Sequence, residues 1–185
     1  HEMESEVILP SVISAIVSFS FFRSVMGMER IFTIGDVSFS SVYELIPYMI
    51  LGLVCAVVGI IFVKLFDKFK ESFESYNKLS EIFKPALGGF LLGVLALYLP
   101  GVMGGGYEYM QMAFDGAIPL NLMIILIAGK MFSTSFTIGS GGSGGIFAPS
   151  LYIGAMTGGA VGGILKYILP VSWMPPGPAF VAVGM

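Results

Sequence analysis

Apolar residues run along this chain in long uninterrupted stretches, without the alternation or striping of elements that face water. Residues 7–22 are apolar up to Arg23, long enough for a short or tilted membrane span. Residues 45–63 form a clean run of 19, and its helix is expected to continue through residues 64–76. A third run covers residues 85–107, where Pro100 and Gly104, Gly105 and Gly106 should end the helix early. Residues 120–138 follow, interrupted by Lys130. Residues 131–165 then form 35 positions without a charge. A single helix of that length would rise about 50 Å, well beyond a hydrocarbon core of about 30 Å. The helix must break, and the glycine-rich stretch 139–145 is where the pattern breaks it. A last apolar run, residues 167–185, is split by Pro170, Pro175, Pro176 and Pro178 and is expected to stop in mid-element.

Composition agrees with the pattern. Of 185 residues, 56% are hydrophobic and 11% charged, with a mean hydropathy of +0.90. The charged share is less than half the roughly 25% of a soluble domain. An ordinary cytosolic enzyme, a disordered tail and a coiled coil are excluded. An all-α polytopic protein of the lipid bilayer is expected. The net charge is −3 without a basic stripe, which argues against a nucleic-acid partner. Cys55 is the single cysteine and His1 the single histidine, the latter read as a truncation residue. Metal sites and a Ser–His pair therefore lack a second member, and no cofactor is expected.

Charge also orients the spans. Lys64, Lys68, Lys70, Lys78 and Lys84 cluster between the second and third runs, whereas the loop 27–41 carries only Arg30. The lysine-rich linker is therefore expected in the cytoplasm and the Arg30 loop outside. Arg23 and Arg30 read as interfacial anchors. Gly154, Gly158 and Gly162 recur every four positions, as do Ala155, Gly159 and Gly163, with Gly89 and Gly93 a shorter case. Such ridges let helix backbones approach closely in lipid.

The most informative segment is MFSTSFTIGSGGSGGIFAPSLYIGAM, residues 131–156. An apolar helix stops at glycines and a second starts near Ile146 or Phe147, with Pro149 in its first turn. Irregular backbone at membrane depth is tolerated only where it is buried in protein or lines a cavity. A helix N-terminus presents free N–H groups and the positive end of its dipole, which suits an anion. No basic side chain lies between Lys130 and Lys166, so such a site would be built from amides. Amides can replace lost hydration yet bind weakly enough to let an ion leave. Spacing alone equally allows a glycine-rich turn between packed helices.

The filter-like run resembles the CLC chloride channel and chloride/proton antiporter family. Gly145-Ile146-Phe147-Ala148-Pro149 is similar to the family's GxFxP anion-binding motif, preceded here by Ser143 and Gly144. Gly104-Gly105-Gly106-Tyr107-Glu108 with Asp115-Gly116 resembles the turn and short helix before the filter. Gly129-Lys130-Met131 and Thr134-Ser135-Phe136-Thr137 resemble the helix leading into it, and Val183-Gly184-Met185 the start of the next. The resemblance implies a CLC-like fold, residues 1–185 being part of an inverted-repeat pore domain with broken, re-entrant helices. It implies chloride or a similar anion as the transported ligand, held by the backbone amides of Ile146 and Phe147. It also implies a homodimer, with the helix from Val7 to Met26 at the interface, in the plasma membrane of a prokaryote.

Departures accompany the likeness. The family's GSGIP motif, its gating-glutamate motif and its pore tyrosine are absent from these residues, and Gly139-Ser140-Gly141 is not followed by Ile-Pro. Glu2, Glu4 and Glu6 are not assigned the internal proton-transfer role, and channel and antiporter stay equally open. Lys130 would add positive potential near an anion path, snorkel, or satisfy carbonyls at a helix end. Glu108 and Asp115 flank a short amphipathic segment and read as a solvated face. Met28, Met103, Met110, Met112, Met123 and Met131 read as packing filler. Two rivals remain: an intramembrane serine hydrolase built on Gly142-Ser143-Gly144, for which no histidine base is at hand and Lys130 lies about a dozen residues away on the preceding helix, and a structural membrane subunit without transport.

Overall fold

The computed structural model describes residues 5–27, 31–35, 37, 41–75, 80–170 and 173–185. Met28, Arg30, Lys78, Tyr76, His1, Glu2 and Glu4 lie outside the described residues. Seven α-helices are present among the described residues: α1 (Ser5–Met26), α2 (Leu45–Ser75), α3 (Lys84–Tyr98), α4 (Tyr107–Phe114), α5 (Leu120–Gly139), α6 (Phe147–Ile168) and α7 (Gly177–Gly184). Short 3-10 turns at Val42–Glu44 and Pro100–Val102 precede α2 and follow α3. Four helical stretches, Ile8–Met26, Val42–Ser75, Leu120–Gly139 and Phe147–Ile168, are long and apolar enough to cross a membrane. The chain divides into two units, His1–Thr33 and Ile34–Met185. The first holds α1, whose described side chains are all exposed, including Ile13, Ile16 and Phe19.

In the second unit α5 and α6 are the inner pair. Half of each helix's apolar window is buried, against 11% of the window in α2. The outer helix α2 crosses both. Leu51 packs with Val161, Leu165 and Phe180, while Phe62 packs with Met131 and Ile153. Nearer the far end of α2, Phe69 makes edge-on ring contacts with Phe132 and Phe136 of α5, at 5.9 and 5.1 Å between centroids. Prolines set several boundaries: Pro85 opens α3, Pro100 follows its end, Pro119 precedes α5, and Pro178 sits in the first turn of α7.

Small residues on α6 do serve close packing. A side chain at Gly154 or Gly158 would collide with the backbone carbonyls of Gly184 and Phe180 in α7, and one at Gly162 with the Phe180 ring. On the neighbouring ridge Gly159 faces Met123 of α5. The pair Gly89 and Gly93 departs from expectation, because a Cβ added at either would meet no other element among the described residues within 4 Å. It is Gly88 that meets α5, at the Phe136 carbonyl and the Ser140 side chain. The methionines divide: Met110, Met123 and Met131 are buried, whereas Met103 and Met112 are exposed and fill no core. Glu108 and Asp115 are exposed, as a solvated face requires.

Candidate functional site

The break between α5 and α6 has a defined geometry. Gly141 adopts φ +90°, a conformation that costs a residue with a Cβ roughly 1–2 kcal/mol. Its N–H donates to the Ile138 carbonyl (3.0 Å), and the Gly142 N–H to the Thr137 carbonyl (2.9 Å). Two such bonds around a left-handed glycine form a Schellman cap, which satisfies the last carbonyls of α5. A Cβ at Gly142 would press on the Thr137 carbonyl oxygen, so the cap requires both glycines. The helix is thereby stopped firmly and the chain is released into residues 143–146.

The start of α6 is the opposite case. Ile146 occupies the N-cap position, and no side chain there bonds the helix amides. Pro149 has no N–H to donate. The Ser150 N–H and its hydroxyl both donate to the Ile146 carbonyl, at 3.0 and 2.8 Å. The first amides of α6 thus have no partner within the helix, as at any uncapped N-terminus. Ile146 and Phe147 project outward, 55% and 76% exposed. Ser143, Gly144 and Gly145 are exposed, while Ala148 and Pro149 are half-buried. The expectation of a loop enclosed by protein is met on one side only. Gly144, Gly145 and Pro149 line a cavity of about 260 Å³ that they share with α5, and residues 143–147 are exposed among the described residues.

Lys130 stands on the far wall of that cavity and is only 2% exposed. Its Nζ donates to the carbonyl oxygens of Val102 (3.0 Å) and Gly104 (2.6 Å). The ammonium also lies 5.1 Å from the centroid of the Tyr152 ring, within cation–π range. It therefore satisfies carbonyls at the turn after α3 rather than snorkelling. Its bonds go to those carbonyls, and none to Ser143 is present. The hydroxyls nearby are committed too: Ser133 and Thr134 donate to the Lys130 carbonyl, and Thr137 to that of Ser133. Donors facing the loop then come from the backbone and from the exposed Ser143 hydroxyl.

An apolar helical pair broken at a glycine loop, with an uncapped N-terminus and a buried cation on the cavity behind that loop, is a specific arrangement. Residues 1–185 match the profile of the voltage gated chloride channel family. The chain belongs to that family. Chloride channel protein CLC-f of Arabidopsis thaliana is 36% identical over 184 residues, covering 95% of this chain and 23% of the relative. The H(+)/Cl(-) exchange transporter ClcA of Vibrio campbellii is 32% identical over 178 residues, covering 94% and 38%. The ClcA transporter of Vibrio cholerae is 29% identical over 177 residues, with the same two shares. The chain thus spans between about a quarter and two fifths of the length of these relatives. As a member of the voltage gated chloride channel family it is an integral membrane protein, all-helical among its described residues, with a broken helix pair at its centre.

Proposed function

We propose that residues 1–185 are part of a pore domain through which the whole protein moves chloride or a similar small anion across a membrane. The anion is held by the backbone amides of Ile146 and Phe147, with Ser143, Gly144, Gly145, Ala148 and Pro149 shaping the loop around them. One observation carries this reading: α6 begins without any side-chain cap, at a glycine loop between two apolar helices. Pro149 sharpens it, because the third residue of the helix has no N–H and only the first amides can converge on a ligand. The printed names of relatives include both a chloride channel and a proton-coupled exchanger, so the reading extends to chloride movement and no further. The bacterial relatives support a prokaryotic plasma membrane as its setting. The open side of the loop is where the remaining pore wall would stand. Helix α1, exposed along its apolar length, is proposed as the homodimer interface.

The test replaces the amide at Phe147 by an ester in the full-length protein, which removes one donor and keeps the side chain. A hydrogen bond to a charged group contributes roughly 1.5–3 kcal/mol. Chloride affinity, read by isothermal titration in detergent, should fall about tenfold to a hundredfold. Equal affinities for ester and native protein would remove the amide site and leave residues 139–145 as a packing turn.

A further inference from the structure

The cavity behind the loop contains a feature that the amide site does not use. Its lining includes Val102, Gly104, Lys130, Ser133, Gly144 and Gly145, and it contains no carboxylate. Lys130 is the one charged side chain in that wall. Buried charges are ordinarily paired, because lost hydration must be replaced. Here two carbonyls and an aromatic face replace part of it, and among the described residues no acid lies within ion-pair distance of the ammonium. Three contacts also immobilise it, since the carbonyls of Val102 and Gly104 hold it on one side and the Tyr152 ring on another. The hydroxyls of Ser133, Thr134 and Thr137 donate to carbonyls of α5, and that of Ser133 also lies 3.4 Å from the Val102 carbonyl. Lys130 is therefore the one full positive charge in the wall behind the loop.

We propose that Lys130 is a positioning residue for the anion: its fixed ammonium keeps the wall behind residues 144–145 positive and raises halide affinity at the start of α6 without touching the ion. This rests on the amide site proposed above. A charge set one layer back suits transport, since the ion gains attraction without a direct ion pair to trap it. A lysine that served only as a staple between the Pro100–Val102 turn and α6 would leave halide affinity unmoved once its carbonyl partners were satisfied.

The experiment measures chloride affinity by isothermal titration, and melting temperature without halide, in full-length variants. Lys130→Gln keeps an amide donor for the same carbonyls and drops the charge. Thr137→Asp leaves Lys130 and its bonds in place and sets a carboxylate on the cavity wall. Both should lower chloride affinity by about tenfold, as expected for one charge acting through a partly polar medium. Lys130→Arg should stay within about threefold of native affinity, because it keeps the charge. The halide-free melting temperature of Lys130→Gln should stay near native, which separates lost potential from lost packing. Native affinity in Thr137→Asp, or in a folded Lys130→Gln, overturns the proposal, and where the glutamine variant does not fold, Lys130→Met, which also drops the charge, decides in its place. If the ester at Phe147 weakens binding while these variants bind as native, only the role of Lys130 falls. If native protein binds no chloride, the amide site falls with it.

Discussion

Gly158 faces the Phe180 carbonyl so closely that even a methyl group would collide with backbone, which cannot swing aside as a side chain can. Replacing it by Leu in the full-length protein should destabilise by about 1–3 kcal/mol through overpacking. A melting temperature in detergent equal to native would contradict the close approach of α6 and α7. The period of these glycines was legible in the sequence, because four-residue spacing places them on one helix face. The phase on α3 was not. Gly88, Gly89 and Gly93 share a helix, and which of them meets a neighbour depends on how α3 is rotated against α5. Lys130 shows the same limit from the side of charge. Its position inside an apolar run marked it, but its partners lie 26 and 28 positions away, beyond any local pattern.

Helix boundaries were the most readable level. Proline and glycine act on the backbone of their own residue and its neighbour, so α3 ends before Pro100 and α6 starts just after the glycine run, as the sequence indicates. The short amphipathic segment expected beside Glu108 and Asp115 forms α4, Tyr107–Phe114. The length of α2 carries a prediction. Its 31 residues rise about 46 Å, more than a hydrocarbon core of about 30 Å, so one end must stand clear of lipid. The lysines place that end at Ser75. In a Cys55→Ala background, a cysteine at Ser75 should react with an impermeant maleimide from the cytoplasmic side, and one at Val42 from outside. The reverse pattern would invert the assigned topology. What remained hidden at this scale was the cap at Gly141 and Gly142. Five glycines within residues 139–145 look alike until the hydrogen bonds select two.

At the scale of the whole molecule, exposure separates the helices into classes that hydropathy does not distinguish. Helices α5 and α6 are as apolar as a lipid-facing span yet bury half their windows, because their small and hydroxylated residues allow neighbours close. Helix α1 presents Ile13, Ile16 and Phe19 outward. If a second copy covers that face, Ile13→Trp and Ile16→Trp should each reduce the dimer fraction in dilute liposomes, since overpacking a flush interface costs about 1–3 kcal/mol. Single-molecule subunit counting reads this directly, and an unchanged dimer fraction for both would assign the interface elsewhere. The open side of the loop 143–146 was the least legible feature of the candidate site. A motif specifies which amides converge, whereas the enclosure of those amides depends on segments far from the motif.

The bonds of Lys130 also impose an order on biogenesis. A lysine near the centre of a membrane helix resists insertion by about 2.5–3.5 kcal/mol. Its acceptors, the Val102 and Gly104 carbonyls, precede it by 28 and 26 residues. At about 5–20 residues per second they leave the ribosome at least a second before it does. The turn at Pro100–Val102 can therefore be waiting in the membrane when α5 arrives. Docking on that turn can then offset part of the cost of carrying the lysine into lipid.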